Sequence, residues 1–511
     1  MCSSNRKGDA RNQSMEKKMS FTDTYRPLLK IIDEELVDQI VREAIELLAD
    51  PGIQIHNPGA LQLLADAGAW VDFSSQVAGL PEDLVHKALA TAPTEFHLFD
   101  LAGNPVVHYG GNDVHFDPGS AAVSLLDDQD GAQRDPLTAD FVRFVKLVET
   151  LPAYDAQSTA FVCRDVPAEI GDLYRLYLAL NYMRKPIVTG AFGVDSWWVM
   201  WEMLVAVAGG EKELARKPIA VFDVCPTPPL LWSDLTVQNL MDCSRKGVPA
   251  ELVSMPLAGA TSPVTLAAAV VEHAAESLSG VVIHQLTAPG SPIVWGGAPA
   301  AFDMRSGTTP MGDVNTWLID CAYIQVGKRL NLPTHTYMGS SDAKILDAQS
   351  GIESAAGTFL AALSGSNMVS GGGMIDFLRC QSFEKLLIDA EIIAMAKRLI
   401  AGMQARETPI ARDLMRQSAH KANFLSHQHT HKWFRKELYI PTPLLDRGSL
   451  DAWRLAGSKS ITARASEMVE RQLSAYQPSP CSQELKAELR SLVARAAQRH
   501  GMVSLPPLPQ E

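Results

Sequence analysis

The sequence lacks the short motifs that mark several common protein classes. It has only seven cysteines among 511 residues, and no two of them form a Cys-x-x-Cys pair. The chain therefore predicts reduced thiols rather than a disulfide framework or a structural zinc site. The motifs GxxxxGK[ST], GxSxG, HExxH and GxGxxG are also missing, which removes the usual signatures of nucleotide-binding proteins, serine hydrolases and zinc peptidases.

Two further absences concern charge and long apolar runs. The chain carries 45 Lys and Arg residues against 58 Asp and Glu residues, a net charge of −13. Such a balance disfavours binding to nucleic acid or to anionic membranes. The apolar runs are short compared with the roughly 18 residues that cross a bilayer, and no secretory signal is evident at the N-terminus. We expect a soluble cytoplasmic protein.

The composition itself is that of a folded chain, with 46% hydrophobic residues. After residue 140 short apolar runs alternate with amphipathic helical patterns. The apolar runs begin near Gln157, Pro186, Pro218, Pro249, Pro292, Pro333 and Asn367. The spacing fits βα repeats, and a further strand within residues 114–124 would make eight. The sequence predicts an α/β fold, a TIM (β/α)8 barrel; an open doubly wound sheet is the competing interpretation.

The predicted organisation has five parts. Residues 1–24 are expected to be a flexible tail, and residues 25–139 an N-terminal α+β lead-in that contributes to the barrel. Residues 140–383 carry the barrel, residues 384–503 are a C-terminal helical region, and residues 504–511 form a Pro-rich tail. A helix over residues 33–50 and another over residues 59–67 open the lead-in. We expect the C-terminal helices to pack on the barrel or at the interface of a homo-oligomer.

In a TIM barrel the reactive groups gather at the carboxyl ends of the strands. Glycine recurs at nearly every one of these ends, which indicates either tight turns or a wide mouth that a bulky partner can approach. The ends also carry aromatic residues suited to a methylated ammonium group, although core packing explains each of them equally well. These aromatic residues are Phe192, Trp295, Phe302 and Tyr337.

Two other features of the sequence are candidate sites. Asp303 and Arg305 place an acid and a base on one predicted mouth loop, where they could face a cation and a carboxylate, or simply pair with each other. The run His427-Gln428-His429-Thr430-His431 suggests zinc, but a spacing of two aligns histidines only on a strand. We therefore predict no metal site and no nucleotide site in this chain.

With these strand ends in view, the sequence resembles the trimethylamine methyltransferase (MttB) superfamily. Four stretches carry the resemblance: GATSPVTLAAAVVEHAAE at residues 259–276, GGAPAAFDMRSG at 296–307, PTHTYMGSSDAKILDAQSGIE at 333–353 and FLSHQHTHKWFRKEL at 424–438. The lead-in RPLLKIIDEELVDQIVREAIELLADPGIQI fits as well, so the resemblance covers roughly residues 25–500.

The resemblance implies a chemistry. The archetypal trimethylamine enzyme of this superfamily uses pyrrolysine, at a position that falls in or near residues 340–347 here, whereas this chain contains standard residues only. It is thus similar to the non-pyrrolysine branch, which resembles glycine betaine methyltransferases. That branch implies transfer of a methyl group from a quaternary amine to Co(I) of a corrinoid (cobalamin) carried by a small corrinoid-binding partner protein, with release of a tertiary amine.

The resemblance also implies candidate site residues, while the catalytic residues stay unassigned. For the substrate pocket they are Trp295, Phe302, Asp303, Arg305, His335, Tyr337 and Lys344. The glycines expected to face the corrinoid are Gly296, Gly297, Gly339, Gly371 and Gly372. Two alternatives stay open: a family member that binds a quaternary amine without turnover, and a different barrel enzyme that uses zinc through His427, His429 and His431.

Overall fold

The structure is a computed structural model, and it describes residues 26–127, 131–418, 420 and 423–509. The tail predicted at residues 1–24 lies outside the described residues, as do Cys2 and the last two residues of the Pro-rich tail. The other six cysteines are free thiols.

Eight parallel strands form the centre of the fold, and each lies where the sequence predicted one. Backbone hydrogen bonds join five of them in one sheet and three in a second. In chain order the strands are His115–Pro118, Gln157–Ser158, Ile187–Thr189, Ala220–Val224, Ala250–Ser254, Ile293–Gly297, His335–Thr336 and Met368–Gly372.

Backbone hydrogen bonds also close the two seams between these sheets. The Trp295 N–H donates to the Pro333 carbonyl at 2.8 Å, and the Asp155 N–H donates to the Phe116 carbonyl at 2.7 Å. A parallel bridge between Ala122 and Phe161 extends the second seam. The eight strands therefore close into a barrel, which confirms the predicted fold class and rules out the open doubly wound sheet.

A helix follows each barrel strand, as βα repeats require. The amphipathic helical patterns between the apolar runs are found as helices, whereas the helix at 138–149, which precedes the run at Gln157, was not anticipated. The helices of the barrel are Thr138–Glu149, Gly171–Tyr182, Val194–Ala208, Asp234–Lys246, Leu266–Thr287, Val314–Arg329, Ala348–Ser364 and Phe383–Ile400, with the additional short helices Ala168–Ile170 (3-10) and Glu211–Arg216.

The lead-in covers the amino-terminal end of the barrel. Strands Phe96–Phe99 and Pro105–Tyr109 form an antiparallel hairpin. From this hairpin Leu98, Val107 and Tyr109 pack, fully buried, against residues near the beginnings of the barrel strands, among them Val188 and Val221. The hairpin therefore closes that end of the barrel, so its interior opens toward the carboxyl ends of the strands.

The other lead-in elements and the short loop strands complete the N-terminal part and the mouth. The lead-in helices are Glu34–Ala49, Pro58–Asp66 and Glu82–Thr91, the last of which the sequence did not predict. The lead-in sheet contains Trp70–Asp72, Val77–Gly79, Ile53–Ile55 and Leu231–Trp232. The short strands of the mouth loops are Ser124–Leu126, Gln133–Arg134, Leu257–Ala258, Ala300–Ala301, Met374–Ile375 and Cys380–Gln381.

The helix Leu266–Thr287 corrects one expectation from the sequence. It is long and apolar enough by composition to cross a membrane, although no such stretch was expected. Most of it is buried in the fold, because it packs against the barrel strands, the neighbouring barrel helices and the helix Glu34–Ala49. Its apolar character is that of a core helix covered on nearly all sides.

The C-terminal residues divide between two compact units. Residues Arg398–Tyr439, with Arg26 and Pro27, belong to one unit, which contains the helices Arg412–Ser418 and Gln428–Glu437 and the 3-10 turn Phe424–Ser426. The barrel unit resumes at Ile440 with the helices Leu450–Leu455, Ile461–Leu473 and Gln483–Arg499. The last of these packs on the barrel helices Gly171–Tyr182 and Val194–Ala208.

Candidate active site

A cavity of about 430 Å³ lies at the carboxyl ends of the barrel strands. Phe192 follows one strand, Asp223 and Cys225 lie at the end of the next, and Met255 and Tyr337 follow two others. Apolar side chains form most of the wall. Burial raises the pKa of Cys225 to about 12, so its thiol is neutral at neutral pH and acts as part of that wall.

Arg175 gives the cavity a buried positive charge. It comes from the helix Gly171–Tyr182, it is only 1% exposed, and it lines the cavity. One guanidinium nitrogen donates to the Thr159 carbonyl at 2.8 Å, and the guanidinium lies 4.6 Å from the centre of the Phe192 ring. Its buried Nε has no hydrogen-bond partner. Burial lowers the pKa of Arg175 to about 10, which leaves it charged at neutral pH.

No carboxylate neutralises this guanidinium directly. Among the described residues, none of the ion pairs closer than 4.0 Å involves Arg175. The nearby acids Asp172 and Asp223 act on it only at longer range. A buried charge of this kind is expensive unless a partner is supplied, so Arg175 is suited to receive an anionic group of a ligand.

Asp223 gives the same cavity an acidic group. It accepts a hydrogen bond from the Tyr337 hydroxyl at 2.9 Å, and both residues line the cavity. Burial raises the pKa of Asp223 to about 6, although Tyr337 and the charge of Arg175 counteract the effect. At neutral pH the cavity thus presents a carboxylate and a guanidinium.

Behind Asp223 a continuous set of polar side chains crosses the barrel interior; we name Asp223, Glu251, His335, Ser370 and Asp117 the acid row. Asp223 and Glu251 lie opposite each other on neighbouring strands, and each acts on the pKa of the other. Glu251 Oε1 lies 3.0 Å from His335 Nδ1, and His335 Nε2 lies 2.9 Å from Ser370 Oγ. The Ser370 hydroxyl donates to Asp117.

Burial sets the protonation of this row. Glu251, His335, Ser370 and Asp117 are each at most 1% exposed. Burial and the neighbouring Asp223 raise the pKa of Glu251 well above its usual range, and burial does the same to Asp117. Burial also lowers the pKa of His335 to about 3, so the imidazole is neutral.

The structure places two of the seven substrate candidates in this region. Tyr337 lines the cavity, and His335 belongs to the acid row beneath it. Trp295 instead packs between its strand and the helices outside the barrel: its indole donates to the Tyr323 carbonyl at 3.0 Å, and its ring contacts His273. Trp295 points away from the cavity because successive residues of a strand face opposite sides.

The mouth-loop candidates also lie away from the cavity. Arg305 is exposed and pairs with Asp303 at 3.0 Å, and hydrogen bonds from Arg305 hold the pKa of Asp303 well below its usual range. The pair is the loop ion pair that the sequence left open. Phe302, half-buried beside it, donates its backbone N–H to the Ala258 carbonyl. Lys344 lies 3.6 Å from the centre of the Phe377 ring and is half-exposed.

The five glycines expected to face the corrinoid are all buried. If Gly372 carried a Cβ atom, that atom would lie 2.5 Å from the Tyr154 ring. A Cβ atom on Gly296 would lie 2.9 Å from His335 Nδ1. Side chains or backbone of this chain occupy the equivalent space at Gly297, Gly339 and Gly371. These glycines admit close internal packing, so the structure does not present them as an open platform.

The loops around the mouth expose several apolar side chains. Phe192 and Met255 at the edge of the cavity are 50% and 40% exposed. Val264 and Met304, on the loops after two neighbouring strands, are more than half exposed and meet above Gly259. Exposed apolar side chains clustered beside a cavity are typical of a surface that another molecule covers.

Two further segments named in the sequence have structural roles. The stretch at residues 340–347 is held by Asp342, which accepts from the backbone N–H groups of Met311 and Gly312, and by Glu353, which accepts from Ser341. His427 caps the helix Gln428–Glu437 rather than joining a strand. Within the described residues no cluster of three or more His, Cys, Asp or Glu side chains is placed to hold a metal ion.

Arg175 and four of the five residues of the acid row are not among the site residues predicted from the sequence. A signal was present for the acids, because Asp117, Asp223 and Glu251 each interrupt an apolar strand, where a charged residue is rarely buried without a purpose. Arg175 gave no such signal, because one arginine in a predicted helix is ordinary.

Comparisons with known proteins agree with this architecture. The sequence model of a family described as trimethylamine methyltransferase (MTTB) matches residues 2–501. The trimethylamine methyltransferase MttB of Methanosarcina thermophila is 32% identical over 470 residues, covering 91% of this chain and 96% of the relative. A glycine betaine methyltransferase of Desulfitobacterium hafniense (strain Y51) is 28% identical over 478 residues, covering 93% of this chain and 98% of that protein.

A solved structure resembles the fold as well. The monomethylamine methyltransferase (MtmB) of Methanosarcina barkeri superposes with a TM-score of 0.50 at 12% identity, covering 88% of this chain and 89% of that one. At this identity the likeness concerns the fold alone.

Proposed function

We propose a methyl donor and a methyl acceptor for this chain, which belongs to the trimethylamine methyltransferase (MTTB) family and is a methyltransferase. The donor is a quaternary amine that resembles glycine betaine. The acceptor is the Co(I) corrinoid of a small corrinoid-binding partner protein. A tertiary amine is released.

The observation that carries the proposal is the pairing of opposite charges in one cavity. Arg175 offers a buried guanidinium that has no carboxylate within 4.0 Å among the described residues, and Asp223 offers a carboxylate. A quaternary ammonium that also bears a carboxylate complements both groups, and a volume of about 430 Å³ is sufficient for such a small molecule.

The cationic end needs recognition without hydrogen bonds, because a quaternary nitrogen has no N–H. Asp223 supplies the negative charge, and the ring of Tyr337 lies beside it on the cavity wall. Carboxylates and aromatic rings are the groups that hold methylated ammonium ions in proteins. One face of the Phe192 ring is occupied by the Arg175 guanidinium, which leaves only the other face for a methylated ammonium group.

Methyl transfer from such a donor asks little acid–base chemistry of the protein, because the positive nitrogen is already a leaving group. The reduced corrinoid of the acceptor supplies the nucleophile. Arg175 and Asp223 would fix the two ends of the donor so that one N-methyl group points toward the mouth, and the apolar wall would keep water out. The apolar rim of Phe192, Met255, Val264 and Met304 fits the apolar face of a broad macrocycle docked over the cavity.

The test is a methyl-transfer assay with purified enzyme, the reduced corrinoid protein and a panel of methylated amines. Absorbance reports methylation of the cobalt, and mass spectrometry reports the demethylated amine. We expect turnover with a carboxylate-bearing quaternary amine and little with trimethylamine. Saturable binding without methylation would instead indicate a binding protein, and no binding of any quaternary amine would refute the proposal.

Three associated expectations accompany this function. We propose a cytoplasmic location, which the six described free cysteines support. We also propose a homo-oligomer, on the basis of exposed apolar residues in the C-terminal region such as Leu455 and Val503. The net charge of −13 supports small cationic ligands rather than nucleic acid or a membrane surface.

A further inference from the structure

Four of the five residues of the acid row have no part in the binding or methyl-transfer steps described above, yet the row begins at the cavity. Asp223 faces the bound donor, and Glu251, His335, Ser370 and Asp117 continue from it into the barrel interior. An inference about this row rests on the proposed function, since the function determines which atom Asp223 faces.

The geometry of the row requires a proton. If the Ser370 hydroxyl donates to Asp117, it must accept from His335 Nε2, which then carries a hydrogen. His335 Nδ1 then bears a lone pair 3.0 Å from Glu251 Oε1, and neither atom has another hydrogen-bond partner, so a proton on Glu251 removes the repulsion between that lone pair and a carboxylate. If Asp117 carries the proton instead, Asp117 donates to Ser370, Ser370 donates to His335 Nε2, His335 Nδ1 carries the hydrogen, and Glu251 is ionised.

Nearby cations do not remove this requirement. Among the described residues, no lysine or arginine nitrogen lies within 4.0 Å of the carboxyl oxygens of Asp117, Asp223 or Glu251. Arg175 acts on Asp223 from a greater distance. Three buried carboxyl groups with one cation nearby cannot all be ionised.

The proposed reaction creates a need for a proton in this place. When the methyl group leaves, the positive charge of the donor leaves with it, and a basic tertiary amine stays in the cavity. Asp223 would then be a buried carboxylate beside a neutral nitrogen, which is unfavourable. A proton on that nitrogen restores the ion pair.

We propose that the acid row stores one proton and delivers it, through Asp223, to the amine nitrogen that methyl transfer leaves in the cavity. The N–CH3 bond breaks with its electron pair left on nitrogen, and a pair from the acceptor forms the new bond to the methyl carbon. The nitrogen takes a proton from Asp223, Asp223 takes one from Glu251, and His335 and Ser370 pass one from Asp117 to Glu251. Water restores the proton after the amine departs.

Other groups face the row from the elements packed around it, and their roles limit the possible donors. Tyr109 donates to Glu251 at 3.2 Å, and Tyr337 donates to Asp223. Burial raises the pKa of both tyrosines well above the usual range, so they stay protonated. The other neighbours are Arg175, Cys225, Tyr154 and Tyr323.

The first experiment counts protons by titration calorimetry of the full-length enzyme in two buffers with different ionisation enthalpies at pH 7.5. The ligands are glycine betaine, which has no N–H, and its demethylated product N,N-dimethylglycine, whose N–H can replace the shared proton as a donor to Asp223. We expect dimethylglycine to release close to one proton more than betaine. The variants Glu251→Gln and Asp117→Asn should abolish that difference.

The matched control is Asp320→Asn. Asp320 is a buried acid, 2% exposed, on the helix Val314–Arg329, and burial raises its pKa as well, but it lies outside the acid row. This variant should keep the proton difference. A second readout needs no ligand: the infrared carbonyl band of a protonated carboxyl group should weaken in Glu251→Gln at pH 7.5.

The rate of methyl transfer gives a third readout. In a single turnover with the reduced corrinoid protein, Glu251→Gln should leave the rate of cobalt methylation nearly unchanged and slow the later release of the amine, because the proton reaches the nitrogen only after the methyl group has left. An unchanged proton difference in Glu251→Gln, or no difference in the unmodified enzyme while it demethylates betaine, would overturn the proposal alone. If no quaternary amine is bound or demethylated, the proposed function fails and the proposal fails with it.

Discussion

Replacement of Arg175 by glutamine tests the proposed substrate most directly. Glutamine retains a hydrogen-bond donor for the Thr159 carbonyl but removes the charge from the cavity. We expect the variant to bind glycine betaine weakly, because the carboxylate of the ligand would be buried without a cation. Tetramethylammonium, which has no carboxylate, should bind the variant at least as well as it binds the unmodified enzyme.

The size of the effect follows from the burial of the guanidinium. Arg175 is 1% exposed, so solvent does not screen a carboxylate that pairs with it. Removing one partner of such a buried, hydrogen-bonded pair costs about 2–5 kcal/mol in binding. A loss of about 3 kcal/mol corresponds to a Kd for betaine that rises by roughly 150-fold.

Titration calorimetry measures both dissociation constants without the corrinoid partner. The ratio of the two constants is the informative quantity, because it cancels any general damage to the cavity. Arg175→Lys keeps the charge but loses the planar fork, so its ratio should fall between those of the other two proteins. An equal change for both ligands in Arg175→Gln would show that Arg175 does not bind the carboxylate.

Three further predictions concern the cation end, a glycine and the rim. Asp223 has a pKa of about 6, and protonation removes the charge that attracts the cation. Betaine affinity should therefore fall by up to about tenfold per pH unit as the pH drops below 6. Calorimetry from pH 5 to 8 should show this loss in the unmodified enzyme and a flat profile in Asp223→Asn. Gly372→Ala should lower the free energy of unfolding by about 1–3 kcal/mol, because the new Cβ atom would lie 2.5 Å from the Tyr154 ring. An unchanged free energy of unfolding in denaturant, together with weaker binding of the corrinoid protein, would instead indicate that Gly372 faces the partner. Met304→Glu should weaken binding of the corrinoid protein in pull-down or interferometry assays and leave the betaine Kd unchanged, and equal binding of the partner would remove Met304 from the docking surface.

The sequence predicted the barrel well because its signals are repetitive. Eight short apolar runs separated by helical patterns leave few topologies, and the helix predicted over residues 33–50 was found at Glu34–Ala49 with Asp33 as its cap. The misses were short or atypical elements, such as the helix Glu82–Thr91 within a segment rich in turn-forming residues. The compact unit at Arg398–Tyr439 was not anticipated, because helical periodicity does not reveal which helices pack together.

The site was harder to predict, because it depends on the direction of each side chain. Tyr337 and Trp295 both lie near strand ends, yet one lines the cavity and the other faces the helices. Successive side chains of a strand point to opposite faces, so a shift of one residue exchanges the cavity side for the helix side. A strand as short as His335–Thr336 has too few residues to show which side chains point inward. The position of Arg175 was harder still to predict, because it lies on a helix outside the barrel strands and not at a strand end.

The hairpin Phe96–Tyr109 has a consequence for the order of events in catalysis. It seals the amino-terminal end of the barrel, which leaves small molecules to enter and leave at the strand ends, where the corrinoid protein is proposed to dock. A docked partner would block that route. Steady-state kinetics should therefore be ordered: the amine donor binds first, the corrinoid protein departs before the demethylated amine, and a large excess of the corrinoid protein inhibits turnover by trapping empty enzyme.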